Sequence, residues 1–158
     1  TGLESVADSY PRGLTRSVSQ RIAIASALAL RPRLLILDEP TSGQDAEERK
    51  QLMGFLEELN NKGIGIILVT HDMELLLQYT KRVVVLNQGE KVFDGPTAEL
   101  FGDQGPDVEA WGLRMPEAAA VAAKLDIATG SVRSVEELAI VLRREMGEEK
   151  DEKAGASE

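Results

Sequence analysis

Two acidic residues follow directly on a run of aliphatic residues in the first third of the chain. In LLILDEPTSGQD, residues 34–45, four apolar residues lead straight to Asp38 and Glu39. An apolar run without alternation is typical of a strand buried on both faces of a parallel sheet. Ionised carboxylates at such a place need a cation or a hydrogen-bond partner. The stretch therefore predicts an acidic, metal-holding site at a sheet edge, and the alternative is that both acids lie in a solvated loop.

Strand, helix and strand then follow one another at the spacing of a βαβ unit. Asp45 is placed to cap a helix, with Glu48 three residues later as its capping-box partner, and Gly63 is expected to end that helix. The helix carries one apolar stripe that is expected to face a sheet: Leu52, Phe55, Leu56 and Leu59. Because such a crossover joins parallel strands, the predicted fold class is α/β with a parallel sheet.

The second apolar strand, IGIILVT at residues 64–70, leads directly to His71, the only histidine of the chain. In open parallel sheets, ligands bind beyond the carboxyl ends of the strands. We therefore expect His71 to lie at the same sheet edge as Asp38 and Glu39. A lone histidine is more often an ordinary polar side chain, but its position directly after a buried strand favours a functional role.

The remaining elements follow from apolar periodicity and from glycine and proline breakers. Helices are predicted at residues 19–30, 73–78, 97–101 and 116–125. A hairpin is predicted from strands 83–86 and 91–93 around Asn87, Gln88 and Gly89.

The last third of the chain is expected to differ from the part that precedes it. Residues 102–112 read as a loop or linker, and a final helix is expected to begin at Ser134, with Glu137 as its partner, and to end at Gly147. Residues 148–158 carry five acids and two lysines and are expected to form a disordered acidic tail. The predicted division is therefore 1–101, 102–147 and 148–158.

Composition narrows the class of protein. The 158 residues, 42% hydrophobic and 28% charged, are typical of one soluble globular domain. The net charge of −9 argues against a nucleic-acid partner, and the absence of cysteine excludes disulfides and thiolate metal sites. We find neither an apolar stretch long enough to span a bilayer nor a signal-peptide pattern.

On the basis of these motifs, the chain resembles the C-terminal half of an ABC-type ATPase, the nucleotide-binding subunit of an ABC transporter. LLILDEP looks like the Walker B strand, SGQD like the D-loop and LVTHD like the switch-histidine loop. The hairpin RVVVLNQGEKVFDGP is similar to the one that follows in importer ATPases. The resemblance covers about residues 3–101 and implies a partial P-loop NTPase fold with a small helical C-terminal extension.

The subgroup that the chain resembles most is that of the energy-coupling-factor importers of cobalt, nickel or vitamins. That resemblance extends to WGLRMPEAAAVAAKL and SVEELAIVLRR after residue 110. It implies ATP hydrolysis coupled to import of a metal ion, vitamin or other small solute, and a general importer ATPase is the fallback. The implied partners are a transmembrane transporter subunit and a second ATPase subunit, identical or different. The implied location is the cytoplasmic face of the cell membrane.

The resemblance also implies roles for named residues, with ATP and Mg²⁺ as cofactors. Asp38 would hold Mg²⁺ through a water molecule, because this ion gives up its water shell reluctantly. Glu39 would orient or deprotonate the attacking water, and His71 would contact the γ-phosphate. Ser42 and Asp45, in the D-loop, would reach a second subunit, a role that is compatible with Asp45 as a helix cap.

Two departures from the family pattern stand out. No G-x-x-x-x-G-K-[ST] loop, which cradles the phosphates, occurs in the sequence. This absence and the start on Thr1 lead us to expect a fragment of a longer ATPase that binds ATP poorly or not at all by itself.

The second departure is in the signature Leu-Ser-Gly-Gly-Gln, for which the aligned stretch, residues 14–18, is LTRSV. Thr15 keeps a hydroxyl, but Arg16 and Ser17 replace glycines that let the backbone approach a phosphate closely. Arg16 offers a cation to the phosphate, yet we expect an impaired signature at the opposite site of a dimer.

Two other classes of protein remain as alternatives. One is a non-catalytic, degenerate ATPase half that dimerises or regulates. The other is an ABC-type head of a chromosome or DNA-repair protein, which the acidic charge and the importer-like hairpin disfavour.

Overall fold

A two-stranded parallel sheet organises the first part of the chain in this computed structural model, which describes Leu3, residues 8–10 and residues 13–144. Strand β1 spans Leu34–Asp38 and strand β2 spans Gly65–Val69. They pair in parallel, with Asp38 opposite Val69. The predicted βαβ unit is therefore confirmed, and its register brings the carboxyl ends of both strands level.

The expectation that these strands are buried on both faces is wrong for the described residues. Leu35 and Leu37 are buried, whereas Ile36 is 62% and Val69 is 52% exposed. Burial alternates along β1 because the side chains of a strand point to opposite faces, and the described residues cover only one face of this sheet. A continuous apolar run is typical of a strand with both faces covered, and here the described residues cover only one face.

Because the described residues leave this apolar face uncovered and form a two-stranded sheet with two open edges, we expect the chain to self-associate. Static light scattering of the 158-residue chain is expected to show a mass above 17.2 kDa that rises with concentration. Replacing Ile36 by Lys should lower the apparent mass, because a charge on this face opposes its burial. As a control, Glu57→Lys places a charge on an already exposed site. A clean monomer of the wild type at high concentration would count against this expectation.

Helix α1, Arg16–Leu28, begins three residues earlier than predicted and ends two residues earlier than the predicted Leu30. The early start has a local cause, because the Thr15 side chain accepts a hydrogen bond from the Val18 N–H at 3.3 Å and so caps the helix. As a consequence, Arg16 and Ser17 lie in the first turn of α1 instead of preceding it.

Helix α2, Ala46–Asn61, is capped as predicted, since Asp45 Oδ1 accepts from the Glu48 N–H at 2.8 Å. The buried stripe consists of Leu52, Met53, Leu56 and Leu59. Phe55, predicted for this stripe, is half-buried. Gly63 follows the helix with φ +91°, the left-handed conformation typical of a residue just after a helix end.

The second part of the chain is built on an antiparallel hairpin. Helix α3 spans Met73–Tyr79, strands β3 and β4 span Arg82–Asn87 and Glu90–Pro96, and helix α4 spans Thr97–Leu100. The hairpin turns at Gln88 and Gly89, both with positive φ, as in the turn expected there. On its surface, hydrogen bonds from Lys91 and Arg82 lower the pKa of Asp94.

The segment predicted as a loop or linker, residues 102–112, packs into this part of the chain. Val108 is 2% exposed and shares one core cluster with Leu100, Phe101 and Ala119, against which Trp111 also packs. A short 3₁₀ turn, Glu109–Trp111, lies within the segment.

The two predicted C-terminal helices are present. Helix α5 spans Glu117–Lys124, and a final helix, α6, occupies residues 135–144 of the described chain. Ser134 caps α6, since its Oγ accepts from the Glu137 N–H at 3.2 Å, and Leu138 is buried against α5 residues. Gly147, the predicted end of this helix, and the acidic tail 148–158 lie outside the described residues.

The chain divides into two compact units, Thr1–His71 and Asp72–Glu158. The sequence-based division at residue 101 falls within the second unit. Among the helices of the described residues, none combines the length and the apolar character that crossing a membrane requires.

Candidate functional site

Glu39 and His71, 32 residues apart in the sequence, meet at the carboxyl ends of β1 and β2. The His71 Nδ1 lies 2.6 Å from Glu39 Oε1, and the His71 backbone N–H donates to the same oxygen at 3.0 Å. The Glu39 backbone N–H in turn donates to the Val69 carbonyl at 2.8 Å, which continues the strand pairing by one residue. The prediction that Glu39 and His71 lie together at one edge of the sheet is therefore confirmed.

Glu39 adopts a left-handed backbone conformation, with φ +45°. This region is uncommon for residues other than glycine and costs roughly 1–2 kcal/mol. The residue that follows is the buried Pro40, and a residue before proline is normally extended. The strained backbone turns the chain sharply at the end of β1, directly at the acidic side chain.

The strain gives a stability prediction. Glu39→Gly and Glu39→Ala both remove the carboxylate, but only glycine adopts φ +45° without steric cost. We therefore expect the glycine variant to be more stable than the alanine variant by about 1 kcal/mol in urea unfolding. At an ordinary exposed position the order should be reversed, as in Ala variants and Gly variants of Glu57 in α2. Equal stability of the two Glu39 variants would show that the backbone there is relaxed.

Thr70 is a residue of the site that the sequence analysis missed. Its Oγ1 lies 3.4 Å from Glu39 Oε2. The carboxylate therefore contacts the Thr70 hydroxyl as well as the backbone nitrogen and Nδ1 of His71. The feature of the sequence that could have identified Thr70 is its position between strand β2 and His71, where the chain passes the end of β1.

Asp38 is the last residue of β1 and is exposed. Within the described residues, no group of three or more His, Cys, Asp or Glu side chains could hold a metal ion. Mg²⁺, however, keeps several waters and commonly takes only one or two carboxylates together with substrate phosphates. A single exposed carboxylate at this strand end fits that mode of binding, and the remaining ligands would have to be waters and phosphate oxygens.

The loop between β1 and α2 connects this site to the predicted D-loop. The Ser42 N–H donates to the Glu39 carbonyl at 3.2 Å, and Gln44 Nε2 donates to the Pro40 carbonyl at 3.1 Å. Thr41 and Gln44 are buried, Ser42 is half-buried and Asp45 is exposed. The loop is therefore a folded turn tied to the backbone of Glu39, and Asp45 caps the helix that follows it.

The signature-like stretch meets the D-loop through Arg16. The side chain of Arg16 passes Gly43 closely: its Cδ lies 3.6 Å from the place that a Cβ on Gly43 would occupy. Thr15 and Arg16 are exposed, whereas Ser17 is only 6% exposed. No hydrogen bond or ion pair within the described residues links these three side chains to Glu39 or His71. The structure thus forms two groups, an acid–histidine pair and an arginine beside the D-loop.

One family model matches part of the chain. Residues 19–77 match a family model described as "AAA domain, putative AbiEii toxin, Type IV TA system". The match covers less than half of the chain and includes most of α1, all of β1, α2 and β2, and the beginning of α3.

Curated relatives agree with the motifs. The chain is 46% identical over 123 residues, 78% of its length, to a protein of Methanosarcina acetivorans provisionally named an ABC transporter ATP-binding protein. It is 41% identical over 116 residues, 73% of its length, to the energy-coupling factor transporter ATP-binding protein EcfA of Methanococcus maripaludis. It spans only 20% and 41% of the lengths of these two proteins.

A solved structure shows the same fold. The chain is similar to cbiO1 of Clostridium perfringens, part of the ABC transporter complex cbiONQ, with a TM-score of 0.61 and 32% identity. The match covers 77% of this chain and 49% of cbiO1. The predicted fold class, an α/β P-loop NTPase fold present in part, is confirmed. The shared motifs, relatives and fold together identify the chain as a partial ABC ATPase domain.

Proposed function

We propose that the chain is the part of an ABC transporter ATPase subunit that carries the acid–histidine half of an ATP hydrolysis site. The observation that carries this proposal is the Glu39–His71 pair at the ends of two parallel strands, with 2.6 Å between Oε1 and Nδ1. A base and a histidine within hydrogen-bond reach, at the sheet edge where ligands bind, are suited to activating a water molecule beside a phosphate.

The roles that we propose for the residues are those that the family resemblance implies, and the chemistry of each side chain suits its role. Glu39 would orient the attacking water and accept its proton, and His71 would contact the γ-phosphate as negative charge spreads over its oxygens. Asp38 would hold Mg²⁺ through water, and the ion, when bound, would neutralise phosphate charge. The D-loop residues Ser42 and Asp45 would reach a second ATPase subunit.

Two further parts are needed for turnover. A P-loop must be supplied by another segment of the full-length protein, because none occurs in these 158 residues and backbone N–H groups of such a loop cradle the phosphates. The signature-like residues Thr15, Arg16 and Ser17 would face the nucleotide of the opposite subunit. With Ser17 buried and Arg16 beside Gly43, we propose that this opposite site is impaired.

The transported substrate is proposed to be a metal ion, a vitamin or another small solute. This follows the names of two similar proteins, EcfA, an energy-coupling factor ATPase, and cbiO1, part of cbiONQ. The proposed partners are a transmembrane subunit and a second ATPase subunit. The chain would then act at the cytoplasmic face of the membrane, without binding nucleic acid.

One observation favours a second function, that of a non-catalytic ATPase half. The signature-like stretch has no paired glycines, and its Ser17 is buried in the first turn of α1. Such a protein would dimerise or regulate through the same surfaces without hydrolysing ATP.

The test compares the 158-residue chain with the full-length protein that, under this proposal, supplies the P-loop. ATP binding is measured with a fluorescent nucleotide and turnover by phosphate release. We expect binding and turnover by the full-length protein, and neither by the chain alone. Binding without turnover would favour the non-catalytic half. Turnover by the chain alone would contradict the proposed division of the site between two segments.

A further inference from the structure

Asp94 and Gly95 form the only Asp–Gly bond of the sequence, which contains no Asn–Gly bond. We propose that this bond is a latent site of isoaspartate formation, and that the side chains of Arg82 and Lys91 suppress the reaction in the folded chain. An Asp–Gly bond is especially open to this reaction, because glycine has no side chain to shield the attacking backbone nitrogen. The site lies on the β3–β4 hairpin and is independent of ATP hydrolysis.

The reaction is an intramolecular condensation followed by hydrolysis. The Gly95 backbone nitrogen attacks Cγ of Asp94, an N–Cγ bond forms and a Cγ–O bond breaks, so that the carboxyl oxygen leaves as water. Hydrolysis of the resulting five-membered succinimide takes up one water and gives either the original chain or a chain linked through the side-chain carboxyl. The leaving oxygen must be protonated, so the neutral acid reacts and the ionised carboxylate is nearly inert.

Both oxygens of the Asp94 carboxylate are held by cationic side chains. Arg82 Nε and Nη2 donate to Oδ1 at 3.0 and 2.7 Å, and Lys91 Nζ donates to Oδ2 at 2.9 Å. Arg82 reaches across from β3, whereas Lys91 lies three residues earlier on β4 itself. Hydrogen bonds from cations stabilise the ionised form, and those from Lys91 and Arg82 lower the pKa of Asp94. The contacts therefore keep the carboxyl group in its unreactive form and fix both oxygens in place.

The packing of Gly95 explains why the hairpin contains a reactive bond. A Cβ at this position would lie 3.1 Å from Cζ of Phe93 and 3.4 Å from Oε2 of Glu99. The first distance is shorter than an ordinary carbon–carbon contact of about 3.5–4.0 Å, so a larger residue would have to displace the aromatic ring. Because the fold favours glycine here, protection of the bond has to come from the partners of Asp94.

Isoaspartate at Asp94 would disturb the connection between the hairpin and α4. Linkage through the side chain adds one carbon atom to the backbone of β4, which moves Pro96 away from its place opposite Arg82. The next residue, Thr97, begins α4, is only 3% exposed and donates its N–H to the Lys81 carbonyl at 3.1 Å. The reaction would therefore displace a buried residue, and its suppression preserves the packing of α4.

The test measures isoaspartate in aged samples of the 158-residue chain. Samples are incubated at neutral pH and physiological temperature and then digested, and the peptide that contains Asp94 is analysed by electron-transfer dissociation, which distinguishes the two linkages by their fragment ions. We expect the folded wild type to form isoaspartate several-fold more slowly than the same chain unfolded in urea, where Arg82 and Lys91 no longer contact the carboxylate. Equal rates in the two states would overturn the proposal.

Variants separate the effect of the two cations from that of the strand. The double variant Arg82→Gln, Lys91→Gln should form isoaspartate at Asp94 several-fold faster than the wild type. The exchange Arg82→Lys, Lys91→Arg retains both cations and should stay close to the slow wild-type rate. The matched control Lys81→Gln removes an exposed positive charge directly before β3 and should leave the rate unchanged.

Hydrogen exchange of the backbone amides of β3 and β4 shows whether the hairpin of each variant is folded. If the double variant loses the hairpin, the single variant Lys91→Gln, which frees only Oδ2, decides the question, with a smaller rise in rate expected. The Asp8–Ser9 bond serves as an internal reference and should react equally in all folded samples. A folded variant without its cations that reacts no faster than the wild type would overturn the proposal, as would acceleration in the Lys81→Gln control.

Discussion

Replacing Glu39 by Gln is expected to lower ATP turnover by the full-length protein by about 10²–10⁴-fold, the usual contribution of a positioned general base. Glutamine has nearly the same size, and its Oε1 can still accept from the His71 N–H, which in the wild type donates at 3.0 Å. It cannot take a proton from water. The loss should therefore appear in kcat, with nucleotide binding largely retained.

The measurement is steady-state phosphate release with saturating Mg²⁺ and ATP, together with nucleotide binding for each variant. Glu57→Gln, which makes the same chemical change on the exposed side of α2, should leave turnover within about twofold, because surface substitutions have small effects. Unchanged turnover in Glu39→Gln would remove Glu39 from the catalytic role. No turnover in either wild type or variant, despite ATP binding, would favour the non-catalytic half and point to Arg16 and Ser17.

Replacing Gly105 by Ala is expected to destabilise the second unit by roughly 3 kcal/mol, the upper range for overpacking. A Cβ on Gly105 would lie 2.7 Å from the carbonyl oxygens of Glu99 and Leu100, and 2.9 Å from that of Gly102. All three are backbone atoms, two of them in the last residues of α4, and the Gly105 N–H itself donates to the Gly102 carbonyl at 2.8 Å. The alanine can therefore be accommodated only if the backbone moves.

Urea unfolding followed by fluorescence of Trp111, the only tryptophan, checks this prediction in the unit concerned. Trp111 packs against the core cluster that contains Leu100 and Phe101. The matched control is Gly130→Ala, because a Cβ there would meet the Ala98 carbonyl at an ordinary 3.5 Å. We expect the control to change stability by less than about 1 kcal/mol. Equal effects of the two substitutions on the free energy of unfolding would show that the backbone around Gly105 accommodates a Cβ without a loss of stability.

The sequence alone determined the local elements and their order. Helix caps at Asp45 and Ser134 could be predicted because a capping side chain and the N–H that it binds lie three residues apart. The meeting of Glu39 and His71 could be predicted as well, because each directly follows a strand and parallel strands bring their carboxyl ends to one edge. The ATPase motifs could also be identified from the sequence alone, because each is a short, contiguous run of residues.

Tertiary structure decided what depends on residues far apart in the chain. The exposure of Ile36 depends on which faces of the sheet are covered, and a run of apolar residues in the sequence does not predict this. The packing of Val108 turned an apparent linker into part of a core. The left-handed backbone conformation of Glu39, with φ +45°, is a feature of the folded turn that no local sequence pattern indicates. Periodicity and caps encode only neighbours along the chain, whereas these features depend on how two strands and their loops are brought together.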